Sequence, residues 1–231
     1  MHIINARAQI FARVSLLKPP VDAAQLHSFS IMANPSDLRK YLTEDELRQV
    51  LGCIKSVRDR AIFTIAYWRG LRASEIGSIP WSAWNQKKRV IWITRGKGSL
   101  SGEYPLAPAE HKALLAWKEI RGNEPGPMFT TRESSTFTLA AGGKGKKNAG
   151  IGRGMVHLLF CGYATKAGLP EHLRHEHALK HSICTHLVSK EVDVLAIKDW
   201  VGHRDIRSTL VYTQIRNAQR NAAAQKVYLQ G

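Results

Sequence analysis

The stretch HEHALKHSICTH, His175 to His186, packs four histidines and a lysine into twelve residues, and its reading decides the rest of the chain. Three readings compete: a metal site, a packed helix that happens to be rich in imidazole, and a grip on phosphate. The zinc-protease pattern H-E-x-x-H fails, because Leu179 stands where the second histidine would be. His177 and His181 are four apart and share a helix face, which could bind zinc, but no third ligand suggests itself. His177 and Lys180 are three apart and also share a face. An imidazole and an ammonium presented together suit a phosphoryl centre that gains charge in its transition state.

The phosphate reading gains weight from three further segments. In RGLRASEI, residues 69–76, Arg72 follows a glycine turn and Glu75 follows Arg72 by three, so the carboxylate can hold the guanidinium. Arginine gives planar, two-pronged contact to phosphate. In TRGKGS, residues 94–99, Lys97 stands at the tip of an expected hairpin, within reach of a groove or a leaving oxygen. In WVGHRDIRSTLVYTQI, residues 200–215, His203 precedes Tyr212 by nine.

The elements between these segments read as mostly helical. Thr43 and Glu46 make a capping-box pattern ahead of Leu47, Val50, Leu51 and Ile54, which recur at helical spacing. RDRAIFTIAYWRG continues as a second helix, apolar on most sides and so central to the core. RVIWITR, residues 89–95, and GEYPLA, residues 102–107, read as two strands of a hairpin. Helices are expected over 108–121, 155–167, 175–189, 192–200, 205–211 and 214–226, with a further short one near 4–17. The Gly- and Lys-rich stretch 138–155 reads as a mobile basic loop, either a plain linker or a strap along phosphates. Its Lys144, Lys146, Lys147 and Arg153, together with Arg95, Arg204 and Arg207, are candidate DNA contacts. The expected fold is mainly α with a small antiparallel β-sheet, an α+β chain.

Composition narrows the function. The chain has 231 residues, 34 Lys and Arg against 18 Asp and Glu, and a formal net charge of +16. That excess favours a polyanionic partner, with nucleic acid first. Hydrophobic residues make up 44%, enough for a substantial core. Cys53, Cys161 and Cys184 are scattered and odd in number, which argues against a disulfide framework or a zinc ribbon. No apolar run reaches the ~18 residues of a membrane span. These features predict a cytoplasmic, DNA-associated protein with no metal and no membrane partner.

Together GLRASEI, HALKHSICTHLV and VGHRDIRSTLVYT resemble the motif blocks of the tyrosine recombinases, the phage-integrase family. The likeness runs from about Leu42 to about Gln225, and the order and intervals of the blocks agree. It implies the integrase catalytic-domain fold and a site-specific recombinase that cuts and rejoins double-stranded DNA. Tyr212 would attack the phosphodiester and form a 3′-phosphotyrosine, without metal, ATP or other cofactor. Arg72, Lys180, His177 and His203 would stabilise the pentacoordinate state, Lys97 would protonate the 5′-oxygen, and Glu75 would orient Arg72. His177 would also help remove the tyrosine proton, while His181 and His186 would brace the helix.

Two departures qualify the resemblance. Lys180 stands where the family has a second arginine, so a two-pronged clamp becomes a point charge, which implies weaker cleavage. Residues 1–41 form a lead-in shorter than the family's helical core-binding domain, leaving 42–231 as the catalytic domain. The family's C-shaped clamp round the duplex would then lose one jaw, which a partner such as an accessory DNA-binding protein would supply, and a dimer or tetramer on DNA is expected. Two alternatives use the same fold: a DNA-binding accessory factor with weakened catalysis, and a type IB topoisomerase-like enzyme that relaxes DNA.

Overall fold

Helix α1, Glu44–Cys53, starts at the predicted box: the Glu46 amide donates to Thr43 Oγ1 at 3.2 Å and the Thr43 amide to Glu46 Oε2 at 2.8 Å. Arg39 forks onto the same carboxylate at 2.6 and 2.7 Å. That charged pairing holds the Glu46 carboxyl down at about 2. The computed structural model describes residues 39–96, 98–131 and 149–213. The expected helices near 4–17 and over 214–226, Lys97, and the basic stretch up to residue 148 lie outside the described residues.

Helix α2, Val57–Arg69, is the axis of the core. Ala61, Ile62, Phe63 and Ile65 are fully buried, as its all-round apolar sequence predicts. Helices α4, Pro108–Arg121, and α6, His177–Ser189, pack against it. Even its last residue is buried: Arg69 donates to both carboxylate oxygens of Glu110, at 2.9 and 2.6 Å, and stacks 4.1 Å from the Trp200 ring. Burial pushes the Glu110 carboxyl up to about 7 against the pull of Arg69.

The sheet has three antiparallel strands in the order β1, Trp84–Asn85; β2, Val90–Ile93; β3, Gly102–Pro105. Ile91 lies opposite Trp84 on one side and Tyr104 on the other, and Ile91 and Ile93 face the core while Trp92 faces solvent. The sequence predicts only β2 and β3. Two residues are too few for β1 to show a period of two, and the strand exists through its pairing with β2.

Helix α5, Arg153–Lys166, leads to α6, and α7, Val194–Trp200, leads to a helical stretch at residues 207–213. Three of these helices begin about two residues later than the sequence reading puts them, and at two of them an aspartate side chain takes the first amides. Glu176 is the N-cap of α6. Asp193 accepts from the Leu195 and Ala196 amides at α7, and Asp205 from the Arg207 amide before the last stretch. The start of α1 is pinned to α6, where the Leu42 amide donates to Ser182 Oγ at 2.8 Å. Trp200 Nε1 donates to the Trp68 carbonyl at 2.7 Å, and Tyr104 Oη to the Asp199 carbonyl at 3.2 Å. These bonds fix the end of α7, and with it the turn that carries His203. Among the described residues no helix is long and apolar enough to cross a membrane.

Candidate active site

The first wall of the site is built by a glycine. Gly70 closes α2 with φ +54, and the chain reverses so that Arg72 becomes the extended N-cap of the one-turn helix α3, Ala73–Ile76. Glu75 then reaches back. Its carboxylate accepts from the Arg72 amide at 2.9 Å and from Arg72 Nη1 at 2.9 Å, and Nη1 also donates to Ser99 Oγ at 3.1 Å. Glu75 is 3% exposed, whereas the Arg72 side chain keeps 31% of its surface open. The carboxylate is inside and the guanidinium looks outward.

The second wall is α6 and the turn after α7. Lys180 is buried, and its Nζ donates to the Val201 carbonyl at 3.0 Å. Burial, then the charges of Arg95 and Arg72, push its amine down to about 8. Gly202, at φ +68, turns the chain so that His203 points inward, with Nδ1 3.0 Å from Thr209 Oγ1. Burial and the charges of Lys180, Arg72 and Arg95 push His203 down to about 4, so the ring is neutral at pH 7. Burial alone would raise the Glu75 carboxyl. The Arg72 amide and the charges of Arg95 and Lys180 nevertheless hold it below its ordinary value. One carboxylate thus serves three cations, and the surplus positive charge suits an anion.

The third wall is Tyr212. It is 8% exposed, and its hydroxyl lies 2.8 Å from His181 Nδ1. Burial and the neighbouring Cys184 thiol raise the phenol above its ordinary value. Burial and then the surrounding His175, His177, Lys40 and Lys180 push His181 down to about 4. His177, Lys180, His181 and Cys184 fall at helical spacing on one face of α6, and the 207–213 stretch delivers the tyrosine to that face.

Arg72, Glu75, Lys180, His203 and Tyr212 therefore come together, joined by His181, which the sequence reading assigns to scaffold. The spacing of four from His177 places His181 on the face of α6 that meets Tyr212. His186 does brace the helix, between Tyr67 Oη at 2.8 Å and the Leu42 carbonyl at 2.8 Å. His177 is at the rim, its side chain 55% exposed and its Nδ1 3.2 Å from Glu176 Oε1. Glu176 also takes His157 Nδ1 at 2.6 Å.

Arg95 is a correction to the sequence reading. Read as a DNA contact, it is instead wholly interior, with a side chain 0% exposed. Its guanidinium donates to the carbonyls of Arg69 at 2.6 Å, Gly70 at 3.3 Å and Trp200 at 3.3 Å, and to Glu75 Oε2 at 3.3 Å. The alternation of β2 accounts for this, since Arg95 shares the parity of the inward Ile91 and Ile93. Arg153 and Arg204 are exposed, as is Arg207, which pairs with Asp205 at 2.7 Å. Arg174 is spent on the Leu169 carbonyl at 2.7 Å. Lys97, Lys144, Lys146 and Lys147 lie outside the described residues. Among the described residues no three His, Cys, Asp or Glu side chains converge so as to hold a metal ion.

Comparison with known proteins places the chain in a family and matches its fold. The model of the phage integrase family matches residues 40–219. Tyrosine recombinase XerA of Pyrococcus horikoshii is 28% identical over 195 residues, covering 84% of this chain and 64% of that protein. Tyrosine recombinase XerC of Pseudomonas aeruginosa is 29% identical over 197 residues, covering 82% of this chain and 59% of that protein. The chain spans less than two thirds of the length of these curated relatives. Among solved structures, the XerA recombinase crystal structure superposes with a TM-score of 0.66 at 20% identity, over 80% of this chain and 64% of that one. The Tn1549 transposon integrase, solved in complex with circular intermediate DNA, superposes at 0.62 with 17% identity, over 76% of this chain and 63% of that one.

Proposed function

The chain belongs to the phage integrase family, and from that premise we propose that it is a site-specific recombinase acting on double-stranded DNA through Tyr212. The observation that carries the reading is the Tyr212 hydroxyl, 2.8 Å from a side chain on the same helix that carries Lys180. The phenolic oxygen attacks a DNA phosphorus, a 3′-phosphotyrosine forms, and a 5′-hydroxyl leaves. The covalent intermediate conserves bond energy, so rejoining needs no nucleotide cofactor.

Each cation has its task. Arg72, held by Glu75 from behind, presents its open edge to the non-bridging oxygens. Lys180 adds a point charge from inside the site. His203, neutral, donates a hydrogen bond to the same phosphate. His177 approaches from the rim, its Nδ1 held by Glu176. Lys97 protonates the leaving 5′-oxygen. Exposed Arg153 and Arg204 meet the backbone phosphates of the duplex, in keeping with the surplus of +16. Exchange between two duplex sites needs more than one copy of the chain on DNA, in line with the expected dimer or tetramer.

The test is covalent capture. A pool of nicked duplexes of randomised sequence should yield a protein–DNA adduct whose digestion maps the linkage to Tyr212. The Tyr212→Phe variant should retain DNA binding and give no adduct. An adduct with the Phe variant, or linkage at another residue, overturns the assignment.

A further inference from the structure

Resting on the reading of Tyr212 as nucleophile, we infer that His181 is a catalytic residue, the base that takes the tyrosine proton. Two independent observations lead there. His181 Nδ1 is 2.8 Å from the Tyr212 hydroxyl, within the reach a general base requires. His177, the other imidazole on this face, is turned away: its side chain is 55% exposed and its Nδ1 faces Glu176. The site is also dry enough for proton transfer to be directional, since Tyr212 is 8% exposed and Cys184 beside it is fully buried.

The step balances. The Tyr212 O–H proton passes to Nδ1 of a ring that carries its own proton on Nε2. The phenolic oxygen bonds to phosphorus, and the P–O5′ bond breaks. The 5′-oxygen takes a proton from the separate acid, which the mechanism above assigns to Lys97. On rejoining, the 5′-hydroxyl gives its proton back to Lys97 and bonds to phosphorus, while the imidazolium returns its proton to the tyrosine oxygen as the P–O bond to Tyr212 breaks. Burial, and after it the neighbouring His175, His177, Lys40 and Lys180, keep His181 neutral in the free protein, and the tautomer with its proton on Nε2 is the one the step requires. The developing negative charge on phosphate offsets those cations as the imidazolium forms.

The experiment separates this role from the recombinase reading. The probe is a pool of randomised duplexes, each with one 5′-bridging phosphorothiolate. The thiolate leaves without a proton, so adduct formation reports attack alone. Wild type should accumulate adduct, and Tyr212→Phe none. His181→Ala should lose about 10²- to 10⁴-fold in rate, the usual contribution of a positioned base. Added imidazole should restore at least tenfold of that loss in a saturable way, which a merely structural residue would not show. His181→Asn places an amide oxygen near the Nδ1 position and serves as the fold control. It should melt and bind DNA like wild type, yet cleave as slowly as the Ala variant. A His181→Ala or His181→Asn rate within threefold of wild type, or above it, overturns the assignment. So does a loss that imidazole leaves unchanged. No adduct from wild type removes the recombinase reading itself, and this inference with it.

Discussion

The ε-amine of Lys180 donates to the carbonyl oxygen of Val201 at 3.0 Å, so the buried lysine of α6 is tied to the turn that carries His203. The bond joins α6 to the end of α7 across the floor of the site. The ammonium is anchored by one neutral acceptor and faces Arg72 and Arg95, a surplus of charge that only an anion relieves.

The first prediction concerns that charge. With its amine pushed down to about 8, Lys180 is cationic below that pH and neutral above it. The second-order rate of adduct formation on the phosphorothiolate pool should therefore fall as pH rises through about 8. The Lys180→Arg variant does not titrate in this range, so it should lose that falling limb and match or exceed the wild-type rate at high pH. Lys180→Met should be about 10²–10³ slower than wild type below pH 8, the cost of one electrostatic contact, and the gap should close as pH rises past 8. A Met variant as fast as wild type would show that the ammonium does not act on phosphate.

Glu75 is the carboxylate that holds Arg72 and Arg95 together. Glu75→Gln leaves the buried Arg95 guanidinium uncompensated, at a cost of about 3–5 kcal/mol. In a domain of this size that corresponds to a melting point lower by roughly 10 °C. The folded-state carboxyl lies below its ordinary 4.5. Its contribution is therefore present above pH 4.5 and is lost as pH falls through the folded-state value. The gap in stability between wild type and variant should close in acid, measured by thermal melts from pH 7 down to pH 3. A gap that widens in acid would contradict the pairing.

Gly202 cannot carry a side chain. Its φ is +68, and a Cβ there would lie 2.8 Å from Arg95 Nε and 3.0 Å from the Leu100 carbonyl oxygen. Gly202→Ala should cost about 1–2 kcal/mol for the left-handed backbone alone. The displaced turn moves His203, and a misplacement of about 1 Å can cost about 10²-fold in rate. Adduct formation and a thermal melt of the same sample measure both effects. An alanine variant with wild-type melting would mean that the turn relaxes without strain.

Much of this was legible before any coordinates. The capping box at Thr43, the all-round apolar α2 and the hairpin strands each carry a local signal strong enough to read, and motif order brought Arg72, Lys180, His203 and Tyr212 to one place. What the sequence hid were consequences of parity and packing. Arg95 looks like a surface cation until its alternation with Ile91 and Ile93 is followed two residues past the strand. His181 looks like scaffold because the residue that meets it, Tyr212, arrives from 31 positions away. Strand β1 is too short to announce itself and exists only through its pairing with β2.

His186 supplies the contrast that tests this division of the histidines. Its Nε2–H donates to the Leu42 carbonyl and its Nδ1 accepts from Tyr67 Oη, both at 2.8 Å. The ring thereby joins α6 to α2 and to the residue before the N-cap of α1, and none of these partners belongs to the cluster around Tyr212. His186→Ala strands a buried carbonyl and a buried phenol, each costing about 1–3 kcal/mol. The variant should melt roughly 5–15 °C below wild type. At a temperature where it remains folded, however, it should form the Tyr212 adduct within about threefold of the wild-type rate, because a bracing histidine contributes no transition-state contact. His181→Ala should show the reverse pattern, with near-normal melting and slow attack. Equal catalytic losses from both variants, measured on folded protein, would mean that α6 acts as one rigid unit and that its histidines cannot be divided into reactive and structural members.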